Sequence, residues 1–164
     1  MMLAPRATTA ADTSLPKSAR ILAIDYGRRR IGLAISDELA LTASPLPVMQ
    51  RKSRRDDFRR LQKLLGEYHV GLVLVGNPVH LSGRQSEMAE EAARFAERLE
   101  KDLGVKVELL DERLTSWEAE QVAMATRGSK NKKQHLDSMA AAILLREYLD
   151  AARERRVKFS AGGK

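Results

Sequence analysis

The amino-acid sequence predicts an α/β domain with a mixed five-stranded sheet and helices on both of its faces. Two short apolar runs joined by a glycine-containing turn open the apolar part of the chain, and this pattern predicts a β-hairpin. After the hairpin, apolar runs of strand length alternate with helical patterns, which is typical of parallel strands covered by helices. The length of 164 residues fits one domain of ordinary size.

The predicted hairpin comprises the runs Arg20–Asp25 and Ile31–Ser36. Between them lie Tyr26-Gly27 and three arginines, which form the turn. A short third strand is predicted over Leu46–Met49. Prolines within and beside this run place it at the edge of the sheet, because proline cannot donate a hydrogen bond to a neighbouring strand.

The rest of the chain alternates between helical periodicity and short apolar runs. The predicted elements, in order, are a helix over Arg54–Tyr68, a strand over Val70–Val75, a helix over Ser86–Leu103 with Gly104 as its C-cap, a strand over Val105–Leu110, a helix from Thr115 or Ser116 to about Arg127, a basic loop over Arg127–Lys133 and a helix over about Gln134–Arg153. Parallel crossovers would place the carboxyl ends of the first, fourth and fifth strands side by side. Ligands bind at such ends in open sheets.

Composition limits the class of protein. Residues 1–18 predict a disordered tail, residues 19–153 one continuous domain, and residues 154–164 a basic C-terminal tail. The chain contains no cysteine, which excludes disulfides, thiolate zinc sites and cysteine nucleophiles. It has no apolar run of the roughly 18–20 residues that span a bilayer, and no segment typical of a secretory signal. We therefore expect a bacterial-type cytoplasm and no membrane partner.

The formal net charge of +7 and a sequence pI near 9.9 indicate a polyanionic partner, with a solvated basic surface as the alternative. One basic cluster spans residues 51–60, where Asp56 and Asp57 partly offset it. The other basic groups lie next to acids in the sequence and are candidate phosphate contacts. These candidates are Arg28, Arg29, Arg30, Arg113, Lys130, Lys132 and Lys133.

Three carboxylates lie where the predicted elements should converge. Asp25 ends the first strand, Glu112 follows the last strand, and Asp137 lies in the first turn of the final helix. The small residues Ala140, Ala141 and Ala142 would let that helix approach the sheet closely. Taken singly, each acid also fits a plainer interpretation, as a turn residue, a solvated strand end or an acid near a helix N-terminus.

Three acids in one crevice repel one another, so the protein either protonates one of them or binds a cation. Carboxylate oxygens favour Mg²⁺ or Mn²⁺ over zinc. Two such ions about 3.5–4 Å apart can activate water and stabilise the leaving oxygen of a phosphodiester. The convergence of Asp25, Glu112 and Asp137 therefore predicts a two-metal catalytic site.

At these residues the sequence resembles the YqgF family, bacterial proteins described as Holliday-junction resolvases or as nucleases that mature the small-subunit ribosomal RNA precursor. The resemblance covers roughly residues 20–150. Its most specific segment is the string DERLTS at residues 111–116. The other segments are Asp25-Tyr26-Gly27 through Gly32, Gly76-Asn77-Pro78 with Gly83, and His135-Leu136-Asp137 with the alanines that follow.

The resemblance implies a ribonuclease H-like fold, with the family's catalytic acids matching Asp25, Glu112 and Asp137. It further implies a metal-dependent nuclease that acts in 5′-end maturation of pre-16S rRNA during ribosome biogenesis, with structured RNA and ribosomal precursors as partners. One departure is visible, since Ser82-Gly83 stands where the family usually shows Asp-Gly. This departure bears on an acid in that loop and not on the three-acid site.

Other functions stay open at this point. One alternative is a Holliday junction resolvase acting on branched DNA in recombination and repair. A second is a non-catalytic RNA- or ribosome-binding protein, which the basic groups support equally well. A third is a sugar-kinase or actin-like ATPase, although those enzymes need two lobes. A monomer or weak dimer is expected, although the sequence leaves no clear exposed apolar stripe from which the oligomeric state could be read.

Overall fold

The computed structural model describes residues 19–76, 85–110 and 132–162 of the chain. The strands are β1 (Arg20–Asp25), β2 (Arg30–Ser36), β3 (Ala43–Gln50), β4 (Val70–Gly76) and β5 (Lys106–Leu110). The helices are α1 (Arg54–Glu67), α2 (Gln85–Leu103) and α3 (Lys132–Ala161). The predicted tail over residues 1–18 and the predicted helix near residues 115–127 lie outside the described residues.

The five strands form one sheet in the order β3-β2-β1-β4-β5. β2 pairs antiparallel with both β1 and β3, whereas β4 pairs parallel with both β1 and β5. The predicted hairpin, the mixed sheet and the edge position of β3 are confirmed. The carboxyl ends of β1, β4 and β5 lie side by side, as the alternation of strands and helices predicted.

Helices cover both faces of the sheet, as predicted. α1 and α2 pack on one face, where Leu22 and Ile24 of β1 are fully buried. α3 packs on the other face, against Ile21 and Ala23. Because successive side chains of a strand point to opposite faces, Asp25 belongs to the α3 face, and Tyr26 packs in the core of the α1 and α2 face.

Local signals define the ends of α1 and α2. Ser53 is the N-cap of α1, and its side chain accepts a hydrogen bond from the backbone N–H of Asp56 at 3.2 Å. Gly104 ends α2 in the left-handed region, with φ of 64°, and its N–H donates to the Glu100 carbonyl at 3.0 Å. This confirms the predicted C-cap, since glycine adopts that conformation without steric cost.

The final helix is longer than the sequence pattern predicted. α3 begins at Lys132, so Lys132 and Lys133 are helical and not part of a loop, and Asp137 lies in its second turn and not its first. The helix also continues past Arg153 to Ala161, where a frayed basic tail was expected. Neither glycine nor proline interrupts this stretch, and its glutamate, arginines, lysine and alanine favour helix.

The small residues of α3 do allow close packing. Ala140 and Ala141 are buried against the sheet, and Ala142 is partly buried there. None of the described helices is long and apolar enough to cross a membrane.

Candidate active site

Asp25 lies at the carboxyl end of β1, in the middle of the sheet. It pairs with Gly32 on the antiparallel neighbour β2 and with Gly76 on the parallel neighbour β4. Its side chain belongs to the face covered by α3, and the residue is only 9% exposed. The two flanking positions carry no side chain, so Asp25 stands between two gaps in the surface of the sheet.

The two glycines let α3 lie directly over Asp25. A Cβ atom on Gly32 would overlap the backbone carbonyl oxygen of Asp137. A Cβ atom on Gly76 would lie 2.6 Å from the Leu144 Cδ2 atom, well inside van der Waals contact. Glycine at these positions therefore sets how closely the helix approaches the end of β1.

The structure brings Asp25 and Asp137 together. The pKa of the Asp25 carboxyl is raised well above its ordinary range, first because burial disfavours the charged form and second because Asp137 adds negative charge nearby. Among the described residues, no side chain donates a hydrogen bond to Asp25. The pair is thus a buried acid facing a second acid, and no cation among the described residues compensates the charge of Asp25.

Within the described residues, Arg30 supplies a positive charge in contact with this pair. Its Nε donates to Asp137 Oδ2 at 2.9 Å, and the two side chains are 31% and 25% exposed. Arg30 is the first residue of β2, two positions before Gly32. In the hairpin, Gly32 therefore contacts the backbone of α3, and Arg30 binds the Asp137 carboxylate.

The other two arginines of the turn have separate environments. Arg28 donates hydrogen bonds to Glu91 of α2 through both Nε and Nη2, with Nη2 2.7 Å from Oε1. Its Nη2 also lies 3.8 Å from Glu87 Oε2. Arg29 is exposed, and its guanidinium has no partner among the described residues. The sequence predicted that all three would contact phosphate, but the fold leaves only Arg29 unpaired among them.

A buried ion network braces the loop that follows Asp25. Asp57 is 1% exposed and accepts hydrogen bonds from Arg51 Nε at 3.2 Å and Arg60 Nη2 at 2.9 Å. Arg51 Nη1 in turn donates to the Tyr26 hydroxyl and to the Gly27 carbonyl, each at 3.2 Å. We refer to these five residues as the Asp57 brace.

Sequence reasoning missed this brace. It treated Arg51 and Arg60 as members of a solvated basic cluster and Asp57 as a partial offset. The available signal was an acid in the first turn of a helix that begins among many bases. That signal is weak because acids are common at helix N-termini for electrostatic reasons alone.

The remaining predicted site residues lie outside the described part of the chain. These are Glu112, Arg113 and Lys130, and the side chains of Lys132 and Lys133 are likewise outside it. Among the described residues there is no group of three or more metal-ligating side chains. Leu110, the last residue of β5, pairs with Gly76 and packs on the α3 face, two positions before Glu112.

Comparison with known proteins matches residues 19–151 to the family described as RuvX, Holliday junction resolvase. A protein of Syntrophus aciditrophicus, named as a candidate pre-16S rRNA nuclease, is 39% identical over 143 residues, covering 87% of this chain and 95% of the relative. One of Dictyoglomus thermophilum, named in the same way, is 38% identical over 134 residues, covering 81% and 96%.

A solved structure of T. thermophilus RuvC in complex with Holliday junction substrate matches with a TM-score of 0.50 at 15% identity. The match covers 82% of this chain and 96% of that one. At this identity the likeness shows a shared fold, and it confirms the fold class predicted from the sequence.

Proposed function

This chain belongs to the RuvX Holliday junction resolvase family, and from that premise we propose that it is a metal-dependent nuclease whose catalytic carboxylates are Asp25, Glu112 and Asp137. The carrying observation is the juxtaposition of buried Asp25 with Asp137 at the carboxyl end of β1. A protein that only binds a polyanion gains nothing from burying one acid beside another. The arrangement costs stability and is typical of a functional site.

The donor set fits a divalent cation. Asp25 and Asp137 offer hard carboxylate oxygens, and their mutual repulsion is relieved when a cation binds between them. Glu112 is the proposed third ligand, two residues beyond the strand end that neighbours β4. When bound, Mg²⁺ or Mn²⁺, singly or as a pair, would activate water and stabilise the leaving oxygen of a phosphodiester.

The protein's own groups would position the substrate. Arg30 holds the Asp137 carboxylate in place through its Nε. The exposed guanidinium of Arg29 is free to contact a phosphate oxygen of the bound strand. Lys130, Lys132, Lys133 and Arg113 remain proposed backbone contacts, because they flank the other two acids in the sequence. The Asp57 brace fixes the loop between Asp25 and these arginines, so the acid and its neighbours keep a constant geometry.

We propose pre-16S rRNA as the substrate, with cleavage at its 5′ end in the cytoplasm, because the relatives at 38–39% identity carry that name. Branched DNA is the second candidate, favoured by the description of the matching family. Both substrates present the same phosphodiester to the same acids. The choice between them depends on surfaces that recognise overall nucleic-acid shape, since phosphate contacts position a strand without reading its sequence.

The test is cleavage by the purified protein of labelled precursor rRNA ends and of four-way DNA junctions, with Mg²⁺, with Mn²⁺ and with EDTA. Wild type should cut one of them only with metal, and Asp25→Asn should lower the rate by at least about two orders of magnitude, since an essential group is removed. Asp37→Asn, a change of the same kind at an exposed turn, should leave the rate unchanged. Full activity of Asp25→Asn would refute the site.

A further inference from the structure

A groove with a basic rim lies between the start of α1 and the outer surface of α2. Its cations are Arg54, Arg94, Arg98 and Lys101, and its floor includes the rings of Tyr26 and Phe95. We refer to this feature as the basic groove. It lies on the opposite face of the sheet from the Asp25 and Asp137 carboxylates, and none of its cations belongs to the groups singled out as phosphate contacts above.

Three of the cations form a line along one helix. Arg94, Arg98 and Lys101 follow the spacing i, i+4 and i+7, which places them on one side of α2. At a rise of about 1.5 Å per residue the line is about 10 Å long. All three side chains are exposed, as is Arg54 across the groove. The line is therefore an accessible track of positive charge.

The acids near the groove compensate only part of this charge. Two carboxylates line it, Glu91 and Glu97, against four cations. Glu91 is already paired with Arg28 at 2.7 Å. Arg94 approaches Glu90 only at 4.0 Å, with both side chains 73% exposed, so this pair is weak. The groove keeps a net positive charge that a polyanion can neutralise.

The floor of the groove indicates which part of a nucleic acid it would contact. Tyr26 and Phe95 are only 8% and 7% exposed and pack on each other with centroids 5.1 Å apart. Their faces are occupied by protein, with Arg51 over both rings. They offer no free surface on which a base could stack, so contacts with the phosphate backbone are favoured over contacts with bases.

The basic groove and the acids are connected through two consecutive residues of the chain. Tyr26 directly follows Asp25, and the two side chains leave the end of β1 on opposite faces. We propose that the basic groove binds the phosphate backbone of the substrate strand at positions outside the site where the acids lie. This proposal rests on the proposed function for the identity of the site, and its ligand class is a single polynucleotide strand.

The test is binding of a fluorescein-labelled single-stranded oligonucleotide, as RNA and as DNA, measured by anisotropy in EDTA over a range of salt. Each lost phosphate contact lowers the slope of log affinity against log salt by about 0.7 for single strands. Arg98→Gln/Lys101→Gln should therefore lower the slope by about 1.4, and weaken binding several-fold at low salt. RNA and DNA should respond alike, because the contact is with phosphate.

The matched control is Arg59→Gln/Lys63→Gln, which removes the same charge from exposed positions of α1 that do not line the groove. It should leave the slope near that of wild type. Equal slopes for the two double variants would overturn the proposal, because any effect would then come from net charge. Thermal unfolding of both variants should match wild type, since all four side chains are exposed.

Cleavage kinetics separate this proposal from the proposed function. If wild type cuts nucleic acid, the groove variant should raise KM and leave kcat unchanged, whereas Asp25→Asn should lose kcat and keep the wild-type salt slope. Groove-dependent binding by a protein that cuts nothing would uphold the groove and refute the nuclease. Cleavage by the groove variant with unchanged KM and salt slope would refute the groove and uphold the nuclease.

Discussion

Two aspartates are buried on opposite faces of the same sheet, and they have opposite surroundings. Asp57 is 1% exposed and receives hydrogen bonds from two guanidinium groups and from the backbone N–H of Lys52. Asp25 is 9% exposed, and the charge it faces is the carboxylate of Asp137. One buried acid is fully compensated and holds the structure together. The other has no compensating group in the described part of the chain, as the proposed cation-binding role of Asp25 requires.

The largest effect is expected where the compensated acid is removed. Asp57→Ala leaves Arg51 and Arg60 without their shared carboxylate, and breaking a buried pair in this way costs about 3–5 kcal/mol. Urea unfolding measures the loss. Asp56→Ala, one position earlier and less buried, should cost about 1 kcal/mol or less, as expected for an acid in a first helical turn. Similar losses of stability in both variants would show that the ion pairs of Asp57 with Arg51 and Arg60 do not stabilise the fold.

A steric change tests what holds the uncompensated acid in place. Gly32→Ala inserts a Cβ atom where the Asp137 carbonyl oxygen lies, so α3 must move. We expect a loss of about 1–3 kcal/mol, typical of overpacking, together with loss of cleavage. Gly66→Ala in α1, which meets nothing within 4 Å, should instead stabilise the protein by about 0.5–1 kcal/mol. A fully active and stable Gly32→Ala variant would refute the close approach.

The pH dependence of stability tests the charge on Asp25. The pKa of Asp25 is raised in the folded protein by burial and by Asp137. The protonated carboxyl therefore contributes to the free energy of unfolding in full below the unfolded pKa of about 4, and this contribution is lost as pH rises through the folded pKa. Asparagine carries no charge at any pH. In EDTA, Asp25→Asn should therefore raise Tm at neutral pH, and the gain should disappear toward pH 4.

The contrasting variant is Asp57→Asn, which removes a charge that two arginines compensate. It should lower Tm at neutral pH under the same conditions. If both substitutions shifted Tm in the same direction, the distinction between the two buried acids would fail.

The smallest effect is expected at the surface of the turn. Arg28 and Glu91 form a close pair, but Arg28 is 57% exposed, so solvent screens the attraction and the pair should contribute less to stability than any of the buried groups above. A double-mutant cycle with Arg28→Gln and Glu91→Gln, followed by urea unfolding, measures the coupling. A coupling as large as the loss measured for Asp57→Ala would mean that the pair belongs with the buried groups.

The sequence alone predicted the sheet, the position of Asp25 at a strand end and the approach of Asp137 on a helix rich in alanine, because those features depend on local pattern. The apolar runs before Asp25 and before Gly76 identify parallel strands, and the position of Asp25 after such a run places it at a strand end. The Asp57 brace and the pairing of Arg28 with Glu91 depend on contacts between distant elements. No periodicity in the sequence encodes which of several arginines meets which acid.

The length of α3 illustrates the same limit from another direction. Residues beyond Arg153 are rich in basic side chains, and Ala161-Gly162-Gly163 follows them, so the sequence predicted a frayed end. The helix continues to Ala161 because intrinsic propensity persists where no breaker intervenes. Burial patterns identify the part of a helix that packs on a core and say little about the part that extends past it.

The two buried acids gain their contacts at different stages of protein synthesis, because their partners lie at different distances along the chain. The contacts of the Asp57 brace link residues that are at most 25 positions apart in the sequence, the longest being the contact between Arg51 and Tyr26. Arg30 and Asp137, in contrast, are 107 positions apart. Contacts between nearby residues form first, and distant ones must wait for the chain to be made. The loop beside Asp25 can therefore be set while the chain is still on the ribosome. The acid pair is complete only once α3 has emerged from the ribosome and docked on the sheet, so a nascent chain without α3 has the braced loop but lacks the second acid of the proposed site.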